Sequence, residues 1–392
     1  MVAWRECLLG EVLNLKRGYD LPHSARSPGI FPVVSSSGVT DHHSEAKVKG
    51  PGVVTGRYGT LGQVFYVESD FWPLNTSLYV QDFKGNDPRF ISYFLGILNL
   101  GSQNAAGAVP GVNRNHLHAM EVRIPPLPIQ HRIAGILSAY DELIENNQRR
   151  IRILEEMARS LYREWFVHFR YPGHESVPLV DSPLGRNPQG WGVKTVADAF
   201  VISGGGTPSR KQAEYWEDGT IQWYSPSDLT GAGTMFMDDS SDHITERGLA
   251  QSSARMLPAR SVMLTSRATI GAIAINTQPA CTNQGFITCL PNDRVPLYFL
   301  FQWLTENVPT FQRMASGATF KEISRGVFKT IEFLQPPDYL VGQFEAIAAP
   351  MAEQVLSLQR QVQNLRRTRD LLLPRLLSGQ VALSADTPLI TT

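Results

Sequence analysis

Two long stretches of the chain carry apolar residues at alternating steps of three and four, the pattern of a helix that packs along another helix. One polar residue interrupts each seam, Asn147 in the first stretch and Arg369 in the second. A helix of about 38 residues would be about 57 Å long, which is too long for an ordinary packing helix of one small domain. We therefore predict two long helices, at residues 129–170 and 338–380, that act as partners. The seam positions are Leu137, Tyr140, Ile144, Asn147, Ile151, Leu154, Ala158, Leu161 and Trp165 in the first helix, and Phe344, Ala348, Met351, Val355, Leu358, Val362, Leu365, Arg369, Leu372 and Leu376 in the second.

The stretch before each long helix shows the same succession of signals, which indicates an internal repeat. Short β-rich runs alternate with Gly, Pro and Asn turns, a short helix follows, and a Pro-rich segment leads into the long helix. The predicted fold class is α+β, with two similar globular domains, two long helices and a pseudo-two-fold repeat. The repeated segments are RYGTLG (57–62) with SRATIG (266–271), NTS (75–77) with NQG (283–285), and GAVPGVNR (107–114) with GATFKEIS (317–324). The predicted parts are a first domain at 1–128, the central helix at 129–170, a linker at 171–190, a second domain at 191–337, the C-terminal helix at 338–380 and a flexible tail at 381–392.

Composition and charge indicate a globular protein of two or three domains. Lys plus Arg equals Asp plus Glu at 36 each, whereas a protein that gripped nucleic acid alone would carry a basic excess. Cys7, Cys281 and Cys289 form no CxxC pair and predict ordinary thiols. No apolar run reaches the length of a membrane span and no cleavable leader is evident, so we expect a cytoplasmic protein with no membrane partner.

Motifs of catalysis are weak throughout the chain. QPPDY at 335–339 has Gln first and Asp in place of the aromatic residue that an amino-methyltransferase motif requires. ISGGGTPSRK at 202–211 lacks the spacing of a phosphate-binding loop, which excludes an ATP-driven motor. The histidines at 42–43 and at 116 and 118 lack the context of a metal site, and we predict that they lie in surface loops. The sequence therefore predicts a non-catalytic chain without a metal site.

The stretch PPLPIQHRIAGILSAYDELIENNQRRIRILEEMARSLYREWF, the ending LLLPRLLSGQVAL at 371–383 and the duplicated order together resemble the specificity subunit of type I restriction-modification enzymes. The resemblance extends from Trp4 to about Leu383. One departure is FLQPPDYLVGQF, which has Asp338 and Tyr339 at the entry of the second helix and places Gln343 late. The exact start of that helix is therefore open.

The resemblance implies two target recognition domains, each reading one half of a bipartite asymmetric site in double-stranded DNA, separated by an antiparallel coiled coil of the two long helices. It also implies that these helices dock two methyltransferase subunits, and that the full restriction complex adds two motor-nuclease subunits. The specificity subunit would itself be no enzyme. S-adenosylmethionine, ATP and Mg would belong to the partner subunits, with no cofactor in this chain.

Base reading requires side chains that offer paired hydrogen bonds to base edges, on loops that can reach a groove. The repeated Gly-flanked turns are such loops, although glycine also recurs wherever a backbone must bend. We assign Lys16, Arg17, Arg210 and Lys211 to phosphates rather than to bases. The candidates for base contacts are Arg57, Tyr58, Thr60, Asn113 and Arg114 in the first domain, and Arg267, Thr269, Thr319, Lys321 and Arg325 in the second.

The outer face of the first long helix is charged, and either it docks methyltransferase subunits or it is an ordinary solvated face. Asn147 on the seam either fixes the register of the helix pair or faces solvent. A different class of function also fits the pattern, namely an adaptor whose duplicated domains bind proteins or small ligands without reading DNA. The candidate docking residues are Arg149, Arg152, Glu155, Glu156, Arg159 and Arg163.

Overall fold

The computed structural model describes residues 4–98, 100, 111–317, 320–381 and 383. The chain divides into a first unit, residues 1–145 with 363–392, and a second unit, residues 146–362. Both long helices cross this division, so each unit contains one α+β domain and one part of each long helix. The duplicated α+β organisation that the sequence predicts is thereby confirmed.

The first unit places its strands in three small sheets. An antiparallel sheet has the order β2-β8-β5-β6, a second sheet has the order β4-β3-β7, and β1 pairs with β9. The elements are β1 (Arg5–Leu8), α1 (Leu9–Val12), β2 (Asn14–Arg17), β3 (Phe31–Ser35), β4 (Gly38–His43), β5 (Gly52–Gly56), β6 (Val64–Val67), β7 (Trp72–Pro73), β8 (Ser77–Asp82), α2 (Pro88–Ile97), α3 (Arg114–His118), β9 (Glu121–Ile124) and α4 (Leu127–Tyr162).

The second unit repeats this topology and adds strands to it. Its sheets have the orders β13-β20-β17-β18-β15, β16-β14-β19 and β12-β21, with a separate hairpin of β10 and β11. The strand directions also match, because β3 and β14 each have one antiparallel and one parallel neighbour. The elements are β10 (Leu179–Ser182), β11 (Gly185–Pro188), β12 (Gly192–Thr195), α5 (Val196–Ala199), β13 (Val201–Gly204), β14 (Ile221–Tyr224), α6 (Pro226–Ala232), β15 (Phe236–Met237), β16 (Asp242–Ile244), α7 (Glu246–Ala250), β17 (Val262–Thr265), β18 (Ile273–Asn276), β19 (Ala280–Thr282), β20 (Phe286–Leu290), α8 (Leu297–Met314), α9 (Arg325–Lys329), β21 (Glu332–Gln335) and α10 (Asp338–Leu377).

The long helices α4 and α10 pack antiparallel within each unit. In the first unit, Leu137 shares a core with Leu376, and Asp141 lies 2.6 Å from Arg369. In the second unit, the α4 residues between Asn147 and Tyr162 meet α10 residues of falling number, from Gln361 to Phe344. The second helix starts at Asp338, which answers the question that the late Gln343 left open.

The apolar seam of α4 is buried or half-buried at every predicted position, and the same holds for α10. Asn147 is 7% exposed, and its Nδ2 donates to Gln361 Oε1 at 3.2 Å. The alternative in which the seam faces solvent at Asn147 is therefore wrong. A buried amide that pairs with one residue of the partner helix favours a single register.

Each long helix is tied near its start to a short helix of its own unit. Gln130 of α4 is buried, and its Oε1 accepts the backbone N–H of Asp87, the residue that caps α2. In α10 the corresponding contact comes from Glu345, which accepts the backbone N–H groups of Tyr298 and Phe299 at the start of α8, both at 3.1 Å. Burial raises the pKa of the Glu345 carboxyl. A carboxylate thus serves in α10 where an amide serves in α4.

The segment predicted as a linker, 171–190, contains the hairpin β10–β11 and is more ordered than its Pro and Gly content suggests. Gly185 has φ +91°, a value that glycine adopts without strain, and Ser182 Oγ donates to its carbonyl. Tyr171, which opens the segment, is buried against Trp191 with ring centroids 5.7 Å apart. The Pro and Gly residues therefore mark tight turns here.

Candidate nucleic-acid interface

Two loops of the first unit meet at one end of its four-stranded sheet. Gly56 at the end of β5 pairs with Ser77 of β8, and the backbone N–H of Gly18, just after β2, donates to the Ser77 carbonyl at 3.1 Å. Arg57 follows Gly56 directly, and Arg17 precedes Gly18. The sheet therefore brings Arg57, a predicted base contact, and Arg17, a predicted phosphate contact, to the same end of its strands.

A third loop joins this edge through backbone hydrogen bonds. The N–H of Val112 donates to the Arg57 carbonyl at 3.0 Å, and Tyr58 forms a β-bridge with Gly111. Asn113 then caps α3 by accepting the N–H of Asn115, so that Arg114 is the first residue of this helix and is exposed. The residues Arg57, Tyr58, Asn113 and Arg114 form one cluster, which we name the first loop cluster.

Side chains of the first loop cluster are partly ordered by their own contacts. The Arg57 guanidinium lies 4.5 Å from the centroid of the Tyr58 ring, and Tyr58 is 40% exposed. Thr60 is exposed, and its carbonyl folds back over Gly56. Arg17 lies 4.0 Å from Asp20. A stacked arginine loses less side-chain entropy when it binds, which suits a side chain that meets a base edge.

Two lysines, Lys16 and Lys47, lie near Tyr19 beside this end of the sheet. The pKa of Tyr19 is lowered, chiefly by its hydrogen bond with Tyr79, with further contributions from Lys16 and Lys47. Lys16 lies 5.7 Å from the Tyr19 ring centroid, and Lys47 lies 4.7 Å from that of Trp72. The sequence reasoning missed Lys47, because nothing in its neighbourhood along the chain places it near Lys16.

The second unit builds the same backbone arrangement from different residues. The N–H of Ser266 donates to the Gly285 carbonyl at 2.8 Å, as that of Arg57 donates to Thr76 at 2.9 Å. The N–H of Ile323 donates to the Ser266 carbonyl at 3.0 Å, as that of Val112 donates to Arg57. These matches equate Ser266 with Arg57, and Ile323 with Val112.

The matches fix which side chains occupy equivalent places. Arg267 stands at the position of Tyr58, and Ala268, with φ +60°, stands at that of Gly59, with φ +78°. Ser324 caps α9 as Asn113 caps α3, and Arg325 begins α9 as Arg114 begins α3. We name Arg267, Lys321 and Arg325 the second loop cluster. The two clusters share an arginine at the start of the short helix and differ in the turn.

The remaining predicted residues of the second unit have different environments. Arg267 lies 3.8 Å from Glu322, and the guanidinium of Arg325 lies against the backbone of Gly204. Lys321, Thr269 and Lys211 are exposed, whereas Thr319 lies outside the described residues. Arg210 belongs to a separate aromatic group, because its guanidinium lies 3.5 Å from the Trp216 ring centroid and pairs with Asp242.

Two amides at equivalent places were missed. Because Thr76 corresponds to Gly285, Asn75 corresponds to Gln284, one residue away from the match expected between NTS and NQG. The Asn75 amide donates to Asp20, and Gln284 Oε1 accepts from the hydroxyl of Thr207 at 2.6 Å. Asn and Gln are the side chains that pair with adenine. Both amides belong to the repeated turns NTS and NQG, but only the backbone hydrogen bonds show how the two turns align.

The predicted docking residues fall into two groups. Arg149, Arg152 and Glu156 are exposed on α4, and Glu155 is half-buried. Arg159 and Arg163 both turn toward Glu306 of α8, at 2.8 and 3.5 Å. Arg159 on α4 and Arg163 in the turn that directly follows α4 therefore tie this end of the helix to the second domain, in addition to any role toward a partner.

Two histidines predicted to lie in surface loops are structural instead. His43 is buried and contacts the Trp72 ring edge-on, and His118 Nε2 accepts the backbone N–H of Leu15 at 2.9 Å. Burial, with Arg114 and Lys84, lowers the pKa of His118. Over the described ranges, no group of His, Cys, Asp and Glu residues could hold a metal ion. Among the helices described, none is both long and apolar enough to cross a membrane.

Comparison with known proteins agrees with this architecture. The family model described as type I restriction modification DNA specificity domain matches residues 1–156 and 188–340. The MjaIX specificity subunit of Methanocaldococcus jannaschii is 36% identical over 175 residues, which are 44% of this chain and 39% of that protein's length. The HindI specificity subunit of Haemophilus influenzae is 23% identical over 338 residues, which are 71% of this chain and 73% of that protein. The crystal structure of an S subunit from M. genitalium has a TM-score of 0.66 at 17% identity and covers 96% of both chains, which shows a shared fold.

The repeated sheets, the paired helices and the two loop clusters define a protein of two homologous recognition domains on a helical frame. Together with the family match over both repeats, they place the chain in the type I restriction modification DNA specificity domain family.

Proposed function

We propose that this chain is the specificity subunit of a type I restriction-modification complex, and that each of its loop clusters reads one half of a two-part DNA site. The observation that supports this most strongly is the pair of equivalent loop clusters, which have the same backbone hydrogen bonds and different side chains. A shared frame with variable side chains is what two readers of different half-sites require. Arg114 and Arg325 fit phosphate or guanine contacts, whereas Arg57, Tyr58 and Arg267 distinguish the halves.

The partners in this proposal are two methyltransferase subunits, docked through α4 and α10, and two motor-nuclease subunits in the restriction complex. S-adenosylmethionine, ATP and Mg are held by those subunits, and this chain performs no chemistry. Its equal numbers of acidic and basic residues support this division, because a reader without a basic excess needs its partners to supply much of the phosphate contact.

The test is a methylation map. Cells that express the chain with the methyltransferase encoded beside it are compared with cells that lack the chain, by single-molecule sequencing of modified adenines. The proposal predicts methylation of a two-part sequence with an unspecified gap, present only when both proteins are made. Methylation that does not depend on the chain would contradict the proposal, and so would an uninterrupted motif. The adaptor alternative predicts no dependence of methylation on the chain.

A further inference from the structure

The second unit contains a cavity of about 610 Å³ beside the charged face of α4. Leu154 and Ala158 of α4 form one wall, and Phe301 and Val308 of α8 form another. Cavities of this size accommodate a ligand or a protruding side chain with its backbone. Four of the six predicted docking residues, namely Arg152, Glu155, Glu156 and Arg159, also line it.

Two polar side chains in this cavity have no partner among the described residues. Gln302 is 4% exposed, and its amide forms no hydrogen bond with any residue that the structure describes. Glu155 is half-buried and has no ion pair within the described part of the chain. Burial alone raises the pKa of the Glu155 carboxyl, which agrees with the lack of a nearby cation. A half-buried carboxylate with no cation beside it is costly unless something binds it.

We propose that this cavity receives an arginine side chain of the methyltransferase subunit, with its guanidinium on Glu155 and Gln302. The inference rests on the proposed function, because that function supplies the partner. A guanidinium is planar and presents five N–H donors, which match the two carboxylate oxygens and the Gln302 Oε1 acceptor. Its aliphatic stem lies along Leu154 and Phe301. An apolar side chain would leave both polar groups unpaired.

The charges around the cavity are compatible with a cation. Arg159 is already paired with Glu306, and Arg152 is exposed at the rim. Glu156, also at the rim, accepts from the hydroxyl of Ser160 at 3.3 Å. Among the described charged residues that line the cavity, Arg152, Glu155 and Glu156 have no ion pair, and Glu155 is the most buried of the three.

The experiment compares Glu155→Gln with Glu217→Gln, a control at an exposed glutamate of the second domain that does not line the cavity. Two quantities are measured for the full chain: its Tm alone, and its Kd for the purified methyltransferase subunit encoded beside it. Glu155→Gln is expected to raise Tm at pH 8, because it removes a desolvated charge, and to weaken binding by about tenfold or more. The gain in Tm should vanish near pH 4, since the raised pKa leaves the wild-type carboxyl protonated there. Gln302→Leu should weaken binding in the same direction.

Each outcome bears on a different claim. If the wild-type chain does not bind the methyltransferase, the proposed function is wrong. If the wild-type chain binds and Glu155→Gln binds as well as Glu217→Gln, the cavity is not the receptor. A lower Tm for Glu155→Gln would also overturn the inference, because it would show that the carboxylate is satisfied within the chain.

Discussion

The turn after β5 in the first unit and the turn after β17 in the second unit have the same backbone hydrogen bonds and different side chains. The first carries Arg57 stacked on Tyr58, and the second carries Ser266 followed by Arg267. Since main-chain hydrogen bonds hold both turns, the side chains contribute little to their position. The comparison teaches that recognition residues can change in one unit without disturbing the frame or the other unit.

The units also differ in how they hold the paired helices. In the first unit Asp141 of α4 meets Arg369 of α10 and the hydroxyl of Tyr93, at 2.6 and 2.5 Å. In the second unit Arg360 of α10 forms a two-fold pair with Asp238 of the domain, at 2.9 and 2.7 Å. The first contact joins the two long helices to each other and to α2, whereas the second joins one long helix to the domain.

The largest expected loss of stability concerns a glycine at an equivalent place in each unit, Gly18 just after β2 and Gly205 just after β13. A Cβ on Gly18 would lie 2.2 Å from the Leu74 carbonyl oxygen, and one on Gly205 would lie 2.0 Å from that of Thr282. Gly18→Ala and Gly205→Ala should each lower the free energy of unfolding by about 3 kcal/mol, because backbone atoms must move. Denaturant unfolding measures this.

Matched controls for these glycines are Gly96→Ala in α2 and Gly231→Ala in α6, where a Cβ would contact nothing within 4 Å. These substitutions within helices should raise the free energy of unfolding by up to about 1 kcal/mol. If Gly18→Ala behaved like Gly96→Ala, the claimed equivalence of the two close approaches would not hold.

A smaller difference in stability is expected between loss of the Asp141 contact in the first unit and loss of the Asp238 contact in the second. Asp141→Ala removes the acceptor of the Tyr93 hydroxyl and one of the two carboxylate partners of the half-buried Arg369 guanidinium, and should cost about 2 kcal/mol. Asp238→Ala removes a partner from Arg360, whose side chain is 52% exposed, and should cost about 1 kcal/mol or less. Unfolding of both variants, of Arg369→Ala and Arg360→Ala, and of the double variant of each pair closes the two cycles and measures the two coupling energies. Equal coupling energies would remove this distinction between the units.

The smallest expected effect is a dependence of stability on pH that comes from His118 at the end of α3 in the first unit. His118 accepts a hydrogen bond from β2 as a neutral ring, and its pKa is lowered. This hydrogen bond contributes about 1 kcal/mol to stability. The contribution is fully present above the ordinary histidine pKa of about 6.5, and it is lost as the pH falls through the lowered pKa of His118. The equivalent residue of α9, Lys329, offers no acceptor.

His118→Gln provides the control, because its amide oxygen can accept the same bond without titrating in this range. The stability of the wild type relative to this variant should fall from pH 7 to pH 5, because the other titrating groups are common to both proteins. A wild-type curve that matched the variant would contradict a structural role for the neutral imidazole.

Sequence patterns predicted the fold well and the site only in outline. The heptad seams located α4 and α10, because burial of a helix face leaves a period that can be read directly. The hairpin at 179–188 and the full length of α8, which continues through Pro309 to Met314, were not foreseen, since Pro and Gly were read as ends of structure. The register between Asn75 and Gln284 depends on hydrogen bonds between distant strands, and no local pattern records these. Lys47 and Glu345 were missed for the same reason.

The central claim is that each loop cluster reads one half of the site independently. The measurement is selection of bound sequences from a random DNA pool by the complex with the methyltransferase, for Arg57→Ala, Arg267→Ala and the exposed control Arg186→Ala. Each cluster variant should lose about 10- to 100-fold discrimination at one base pair of one half, the first and second variants in different halves, while the control selects the wild-type sequence. Relaxation of both halves by a single substitution would contradict the account.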